Sequence, residues 1–79
     1  MTNLEKYRKA FFASFSLDEN SLKEDLEYNS ISEWDSVGHM GLIAEIEEAF
    51  EIQLDMNDVI DFASYSKGKD ILGKYNVTF

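Results

Sequence analysis

The chain has 79 residues, no cysteine or proline, and sixteen acidic against seven basic residues, which give a formal net charge of −9. This length suits a single domain, residues 1–79, and the lack of cysteine excludes disulfides and cysteine-ligated zinc as supports for it. An acidic surface repels nucleic acid and anionic membranes, and the apolar runs are too short to span a bilayer, so we expect a soluble, cytoplasmic protein without membrane insertion.

The first predicted helix covers Asn3–Phe15, with Thr2 or Asn3 as its N-cap. Its large apolar residues recur at spacings of three and four, the period of an amphipathic helix: Leu4, Tyr7, Phe11 and Phe15. Residues 16–33 are polar and acidic, with isolated apolar side chains that can tether them to a core. We expect a long loop here, with one turn of helix at Ser21–Leu26 as an option.

The second predicted helix, Ser36–Phe50, has apolar side chains on two faces instead of one. At about 100° per residue, one face should enter the core: Leu42, Ile43, Ile46, Ala49 and Phe50. The opposite face carries Val37, Met40 and Ala44, with Glu47 and Glu48 beside them. A helix in a small bundle needs only one buried face, so this second face is either covered by the long loop or open to a partner.

Gly38 and Gly41 lie inside this helix, where each costs about 1 kcal/mol relative to alanine. Two interpretations stay open. The glycines are either tolerated because tertiary packing holds the helix, or required for the close approach of a partner or a modifying enzyme.

Two shorter helices follow. Asp55 should cap a helix over Met56–Phe62, and its inward residues should be Val59, Ile60 and Phe62. Ser64 or Ser66 should cap a last helix that reaches about Tyr75, with Ile71, Leu72 and Tyr75 as its apolar side. We expect residues 76–79 to fray unless Val77 and Phe79 dock on the core.

No segment alternates with a period of two over a useful length, so no sheet is expected. The predicted fold is all-α, a small four-helix bundle of three longer helices and a short third helix, with a long loop between helices 1 and 2.

The junction at Asp35 and Ser36 is the first candidate site. Asp35 can accept hydrogen bonds from the unpaired N–H groups at the start of the second helix, as an N-cap does. Ser36 then lies in the first turn, where the helix dipole is positive. A phosphate ester on the Ser36 hydroxyl would lie in a favourable field.

Other chemistries have weaker support. Trp34-Asp-Ser-Val-Gly38 matches half of the G-x-S-x-G motif of hydrolases, and we expect His39 to be a half-buried packing residue with one hydrogen bond instead of a base. Asp18-Glu-Asn20 resembles the start of a calcium-binding loop, but Lys23 stands where that loop needs glycine. Adjacent carboxylates such as Glu47 and Glu48 diverge around a helix and suit a solvated face better than an acid–base pair. No catalytic residue and no metal site are predicted.

The segments Glu33-Trp-Asp-Ser-Val-Gly-His-Met40 and Ala44-Glu-Ile-Glu-Glu-Ala-Phe50 strongly resemble the acyl carrier protein family. In that family a D-S-[LV] motif opens the second helix, and an acidic and hydrophobic run ends in phenylalanine. Residues 55–60 and 64–72 resemble its third and fourth helices. The resemblance covers nearly the whole chain, although it is diffuse before residue 30.

The resemblance implies that Ser36 is the attachment point of 4′-phosphopantetheine, which a separate phosphopantetheinyl transferase takes from coenzyme A. The thiol of this arm would hold an acyl group as a thioester, and the carrier itself would catalyse nothing. The family's partners are acyl-loading and acyl-processing enzymes with basic docking patches, and the carrier is expected to be a monomer. Residues that would meet partners are Val37, Met40, Ala44, Glu47 and Glu48. Residues that would line the space for an inserted chain are Leu42, Ile46, Val59, Phe62 and Ile71.

Members of the family that serve fatty-acid synthesis usually carry acidic residues where this chain has Gly38 and Gly41. The resemblance therefore favours a free-standing bacterial carrier for fatty-acid, polyketide or other specialised biosynthesis. The alternatives are a carrier of aminoacyl or peptidyl groups, such as D-alanyl, and an unmodified acidic helical adaptor that binds a basic partner through Val37, Met40 and Ala44.

Overall fold

The computed structural model describes residues 1–79 and contains four helices: α1 Asn3–Phe15, α2 Ser36–Phe50, α3 Met56–Asp61 and α4 Tyr65–Gly73. This confirms the all-α prediction and the long loop between the first two helices. The bounds of α1 and α2 agree with the sequence analysis, whereas α3 and α4 end slightly earlier than predicted. None of the four helices has both the length and the apolar character needed to cross a membrane.

Each helix begins at a residue whose side chain caps it. Thr2 and Glu5 form a capping box at α1, since each side chain accepts a hydrogen bond from the other residue's backbone N–H. Asp55 accepts from the backbone of Asn57 at α3, and Ser64 accepts from Lys67 at α4. The sequence left two N-caps undecided. The structure has Thr2 instead of Asn3 at α1, and Ser64 instead of Ser66 at α4.

Aromatic side chains form the centre of the core. From α1, Tyr7 and Phe11 contact Tyr65 of α4, and Phe15 contacts the buried Trp34. The Tyr7 hydroxyl donates a hydrogen bond to the Tyr65 carbonyl at 2.6 Å, so its polar atom is satisfied. Burial raises the pKa of this hydroxyl, which keeps it a neutral donor.

The loop between α1 and α2 lies against the rest of the chain. Leu22 and Leu26 are buried, as tethers should be. Backbone hydrogen bonds join the loop to the connector between α3 and α4 and to the start of α4. The Tyr28 N–H donates to the Ala63 carbonyl and the Tyr65 N–H donates to the Leu26 carbonyl, each at 2.9 Å. The optional helix at Ser21–Leu26 does not form, and this stretch contains only turns.

The inward face of α3 differs from the prediction. Leu54, Asp58 and Phe62 follow one another at intervals of four residues and are all buried. Ile60 lies on the other side of the helix and is 69% exposed, so its assignment to the core was wrong. The sequence analysis chose the apolar residues of this short helix, whereas the structure buries a carboxylate among them.

Asp58 connects α3 to the end of α4. Its carboxylate accepts hydrogen bonds from the Lys74 ammonium and, at 2.6 Å, from the Tyr75 hydroxyl. The same hydroxyl accepts a bond from the Asp55 N–H at 2.9 Å. The bonds from Lys74 and Tyr75 hold the pKa of the Asp58 carboxyl below its usual range.

One prediction about the core needs correction. Phe50 is half-buried, because the end of α2 is covered only partly, by Lys6 of α1 and by Phe79. Of the two options for the C-terminal residues, the structure has the docked one: Val77 is buried, and the Thr78 carbonyl accepts a hydrogen bond from the Asn3 side chain.

Candidate functional site

The start of α2 presents an exposed Ser36 beside unpaired backbone donors. The Asp35 carboxylate accepts from the Gly38 N–H at 2.8 Å, and the Asp35 carbonyl accepts from the His39 N–H at 2.8 Å. The N–H groups of Ser36 and Val37 have no partner within the chain. No acidic residue lies in the first turn of the helix. Asp35 is thus the N-cap of α2, as predicted. The positive end of α2 faces solvent around the Ser36 hydroxyl.

Gly38 is required by the chain's own loop. A Cβ atom on this residue would lie 1.9 Å from the Glu33 carbonyl oxygen and 3.3 Å from the Phe15 ring. The glycine at this position is therefore explained by a contact within the chain, and the close approach of a partner or a modifying enzyme is not needed to explain it. A Cβ at Gly41 would meet nothing within 4 Å, so no contact within the chain requires a glycine there.

His39 joins the loop before α2 to α3. The Trp34 indole N–H lies 2.9 Å from His39 Nδ1, and His39 Nε2 lies 2.7 Å from the Val59 carbonyl oxygen. An indole nitrogen can only donate, so Nδ1 accepts and Nε2 carries the proton that it donates to Val59. We call this pair of hydrogen bonds the His39 bridge. The sequence analysis expected one bond at this histidine, and the structure has two.

The His39 bridge weakens the hydrolase hypothesis. Both ring nitrogens are engaged away from Ser36, and neither is available to take a proton from its hydroxyl. The two residues are near each other in α2, but they do not form a nucleophile–base pair.

A cleft of about 310 Å³ lies between α2 and α3, next to Ser36. Its walls are mainly apolar and come from both helices and the long loop: Tyr28, Ser36, His39, Met40, Met56, Val59, Ile60, Phe62 and Ala63. Val37 and Met40 of α2 and Met56 and Ile60 of α3 are exposed around it. The second apolar face of α2 is therefore open and not covered by the loop.

The expected partner-contacting residues divide into two groups. Val37, Met40, Ala44 and Glu48 are exposed along α2. Glu47 is half-buried, and its carboxylate accepts from the Leu54 N–H at 2.9 Å. This carboxylate therefore supports the connector between α2 and α3, and only part of it faces solvent.

The residues expected to line a chain-binding space are not all together. Val59 and Phe62 border the cleft. Leu42, Ile46 and Ile71 lie in the packed core and do not reach it.

Met56, Ile60 and Tyr28 are site residues that sequence reasoning missed. Met56 and Ile60 are four residues apart, on the side of α3 away from Leu54, Asp58 and Phe62. That spacing indicates that the two side chains share one face of α3. The prediction instead placed Ile60 in the core because its side chain is apolar. Tyr28 had no signal, since only tertiary hydrogen bonds bring its loop to the cleft.

No group of three or more His, Asp or Glu side chains is arranged to hold a metal ion. Residues 18–20, which weakly resemble a calcium loop, form a turn in the structure. Asp18 closes this turn by accepting a hydrogen bond from the Ser21 N–H at 2.9 Å.

Comparison with protein-family models, with curated proteins and with solved structures finds no match for this chain.

Proposed function

We propose that this protein is a carrier domain that holds acyl groups as thioesters on a 4′-phosphopantetheine arm attached to Ser36. The single observation that carries the proposal is the exposed Ser36 hydroxyl at the start of α2, with two unpaired N–H groups beside it and an apolar cleft next to it. The resemblance of residues 33–50 to acyl carrier proteins supplies the chemical identity of the arm.

The local chemistry suits this attachment. A transferase would move the phosphopantetheine group from coenzyme A to the Ser36 oxygen, with loss of the serine proton and departure of the nucleotide. The resulting phosphodiester would lie near the free N–H groups of Ser36 and Val37, which favour an anion. Since the chain has no cysteine, the arm would supply the thiol on which a thioester forms.

The open face of α2 suits docking to enzymes. Val37, Met40 and Ala44 offer apolar contact area, and Glu48 gives a charge that a basic patch would recognise. No lysine or arginine occurs from Glu24 to Ser66, so the whole region around Ser36 favours basic partners. These partners would be the transferase and enzymes that load and process the acyl group, and the carrier itself would perform no catalysis.

The cargo would be an acyl intermediate of fatty-acid, polyketide or other specialised biosynthesis. An aminoacyl or peptidyl cargo, for example D-alanyl, is the alternative within the same proposal. An intact mass of protein purified from its own cells distinguishes them, because arm and cargo add together to the mass of the polypeptide.

The first prediction concerns Ser36 itself. Incubation of the unmodified protein with coenzyme A and a broad-specificity transferase should add one phosphopantetheine group, and Ser36→Ala should abolish the addition. Ser32→Ala is the matched control, since Ser32 is also exposed and lies just before the helix. Intact mass spectrometry measures the result. A wild-type mass that stays unchanged contradicts the proposal.

The open apolar face also favours a second candidate function, an unmodified adaptor that binds a basic partner through Val37, Met40 and Ala44. This function predicts that Ser36→Ala leaves partner binding intact while Met40→Ala weakens it. The carrier proposal instead predicts that Ser36→Ala removes the function in cells even where docking survives.

A further inference from the structure

His39 lines the cleft beside Ser36, and its side chain makes the hydrogen bond that joins α2 directly to α3. His39 Nε2 donates to the Val59 carbonyl at 2.7 Å, across the gap between the helices. Because α3 ends at Asp61, this carbonyl lies in the last turn and has no N–H partner from its own helix. The histidine therefore satisfies a helix end and at the same time spans the gap between α2 and α3.

Three aromatic rings hold the His39 imidazole in this position. The Trp34 ring lies side by side with it, joined by the hydrogen bond to Nδ1, with an interplanar angle of 15° and centroids 6.2 Å apart. Tyr28 and Phe62 approach it edge-on with centroids 5.6 and 6.2 Å away. Trp34 is itself fully buried against Phe11 and Phe15. The imidazole cannot turn aside without breaking two hydrogen bonds and disturbing a ring packed against α1.

The core behind His39 has no space prepared for a ligand. Leu42 and Ile46 of α2 are fully buried there. The three cavities of the molecule are all open surface clefts, and none is enclosed in the interior. An apolar chain that entered from the cleft would have to displace the His39 imidazole to reach these residues.

We propose that His39 is the residue that limits the cargo: the His39 bridge closes the passage between α2 and α3, so that an acyl chain carried on Ser36 lies in the outer cleft and does not enter the core. This inference rests on the proposed function and deepens it. The outer cleft of about 310 Å³ is then the apolar space left to the chain, and whatever the cleft does not hold stays outside and accessible. His39 is a specificity-determining residue that acts by position and does not react.

The first experiment uses the unmodified protein and does not depend on the arm. His39→Ala removes the bridge, and Glu45→Ala, at an exposed site elsewhere on α2, is the matched control. Amide hydrogen exchange should increase about tenfold for residues 59–61, whose N–H groups are the backbone hydrogen-bonded ones of α3, in His39→Ala, as expected for the loss of a net hydrogen bond that closes a local unit. Exchange in α1 should change much less. A uniform increase over all helices would show a general structural role and overturn the specific one.

The second experiment tests the closed passage in the wild type, so it stands even if His39→Ala folds poorly. The protein is loaded enzymatically with butanoyl and with dodecanoyl phosphopantetheine, and the methyl NMR signals of Leu42 and Ile46 are compared. We expect the signals to be the same for both chains, and we expect the two thioesters to be cleaved by hydroxylamine at equal rates. Methyl shifts that appear only with dodecanoyl, or slower cleavage of that thioester, would overturn the proposal.

Two variants separate the ring's volume from its hydrogen bonds. With dodecanoyl, His39→Ala should shift the methyl signals of Leu42 and Ile46 and slow cleavage several-fold, because the passage is open. His39→Phe should keep the passage blocked although it loses both bonds. If His39→Ala leaves both measurements unchanged, His39 does not limit the cargo. If the wild type accepts no phosphopantetheine, the proposed function fails, and the exchange experiment still decides whether the His39 bridge holds α3.

Discussion

At the scale of single residues, three glycines have three different environments. Gly38 lies against the Glu33 carbonyl, and Gly41 faces open space. A Cβ at Gly68 would lie 2.2 Å from the Tyr7 hydroxyl and 2.3 Å from the Phe62 ring, at the centre of the core. A side chain is therefore excluded at two of these positions and tolerated at the third.

This difference predicts opposite effects of the same substitution. Gly41→Ala should raise the free energy of unfolding by about 1 kcal/mol, because alanine has the higher helix propensity and nothing obstructs it. Gly68→Ala should lower it by about 1–3 kcal/mol or more through overpacking against Tyr7 and Phe62. Urea unfolding measures both. Equal effects of the two variants would contradict the packing described for Gly68.

The glycines also show what sequence can and cannot reveal. The sequence predicted that Gly38 and Gly41 cost helix stability, which is a local property. It did not single out Gly68, and it could not show that Gly38 faces a carbonyl from its own loop. Those contacts depend on how α4 meets α1 and how residues 30–35 return to α2, and neither is encoded in a local pattern.

At the scale of elements, α3 is held by polar contacts that two consecutive residues, Asp58 and Val59, make to two different parts of the chain. The His39 bridge binds the carbonyl of Val59, and Asp58 binds Lys74 and Tyr75 after α4. A helix of six residues has little stability of its own. These contacts fix the position of Met56 and Ile60, which form one side of the cleft.

The Asp58 contacts predict how stability depends on pH. The pKa of Asp58 is lowered on folding, so its contribution is present above the unfolded-state value of about 4 and is lost as the pH falls through the lower folded value. Asp58→Asn should therefore destabilise the protein at pH 7 and flatten the decrease in stability under acid. Thermal unfolding followed from neutral to acidic pH measures both effects.

Asp25→Asn is the control for this prediction, because Asp25 is exposed in the loop and has no hydrogen-bond partner in the chain. Asp25→Asn should leave the decrease in thermal stability from neutral to acidic pH unchanged. If the thermal stability of Asp58→Asn decreases with falling pH as steeply as that of the wild type, the role given to Asp58 is contradicted.

The elements were predicted with unequal success for physical reasons. Long amphipathic helices have a strong period, and the bounds of α1 and α2 were therefore correct. In α3 the period was too short to read: Phe62 is buried as predicted, but the exposed Ile60 was placed inward and the buried Asp58 was not. The parts of the site differ in the same way. The Asp35 N-cap and the apolar outer face of α2 were predicted from the sequence of one helix. The cleft and the His39 bridge could not be predicted, because they form only when α3 packs on α2.

At the scale of the whole molecule, charge is unevenly distributed. Twelve of the sixteen acidic residues lie between Glu24 and Ser66, and all seven basic residues lie outside that range. Only three ion pairs form, and one of them is long at 4.0 Å. Repulsion among the acidic residues therefore opposes the compact state and is offset only in part by local pairs.

This distribution predicts stabilisation by salt. At pH 7 the midpoint of thermal unfolding should rise with sodium chloride up to about 1 M, because the Debye length falls from about 10 Å at 0.1 M to about 3 Å. Sodium sulfate would also strengthen apolar burial, so the chloride series is the cleaner measurement. A midpoint that falls or stays constant would show that the attractive pairs outweigh the repulsion.

Trp34 is the only tryptophan in the chain, and it is buried with its indole N–H on His39. Its ultraviolet emission is therefore a label-free optical signal from a residue that is hydrogen bonded to His39 in the cleft wall. A red shift would report water reaching the indole when α3 moves, and titration with apolar compounds can be followed without attaching a dye. The same side chain that supports the histidine thus makes the state of the cleft visible in a simple fluorimeter.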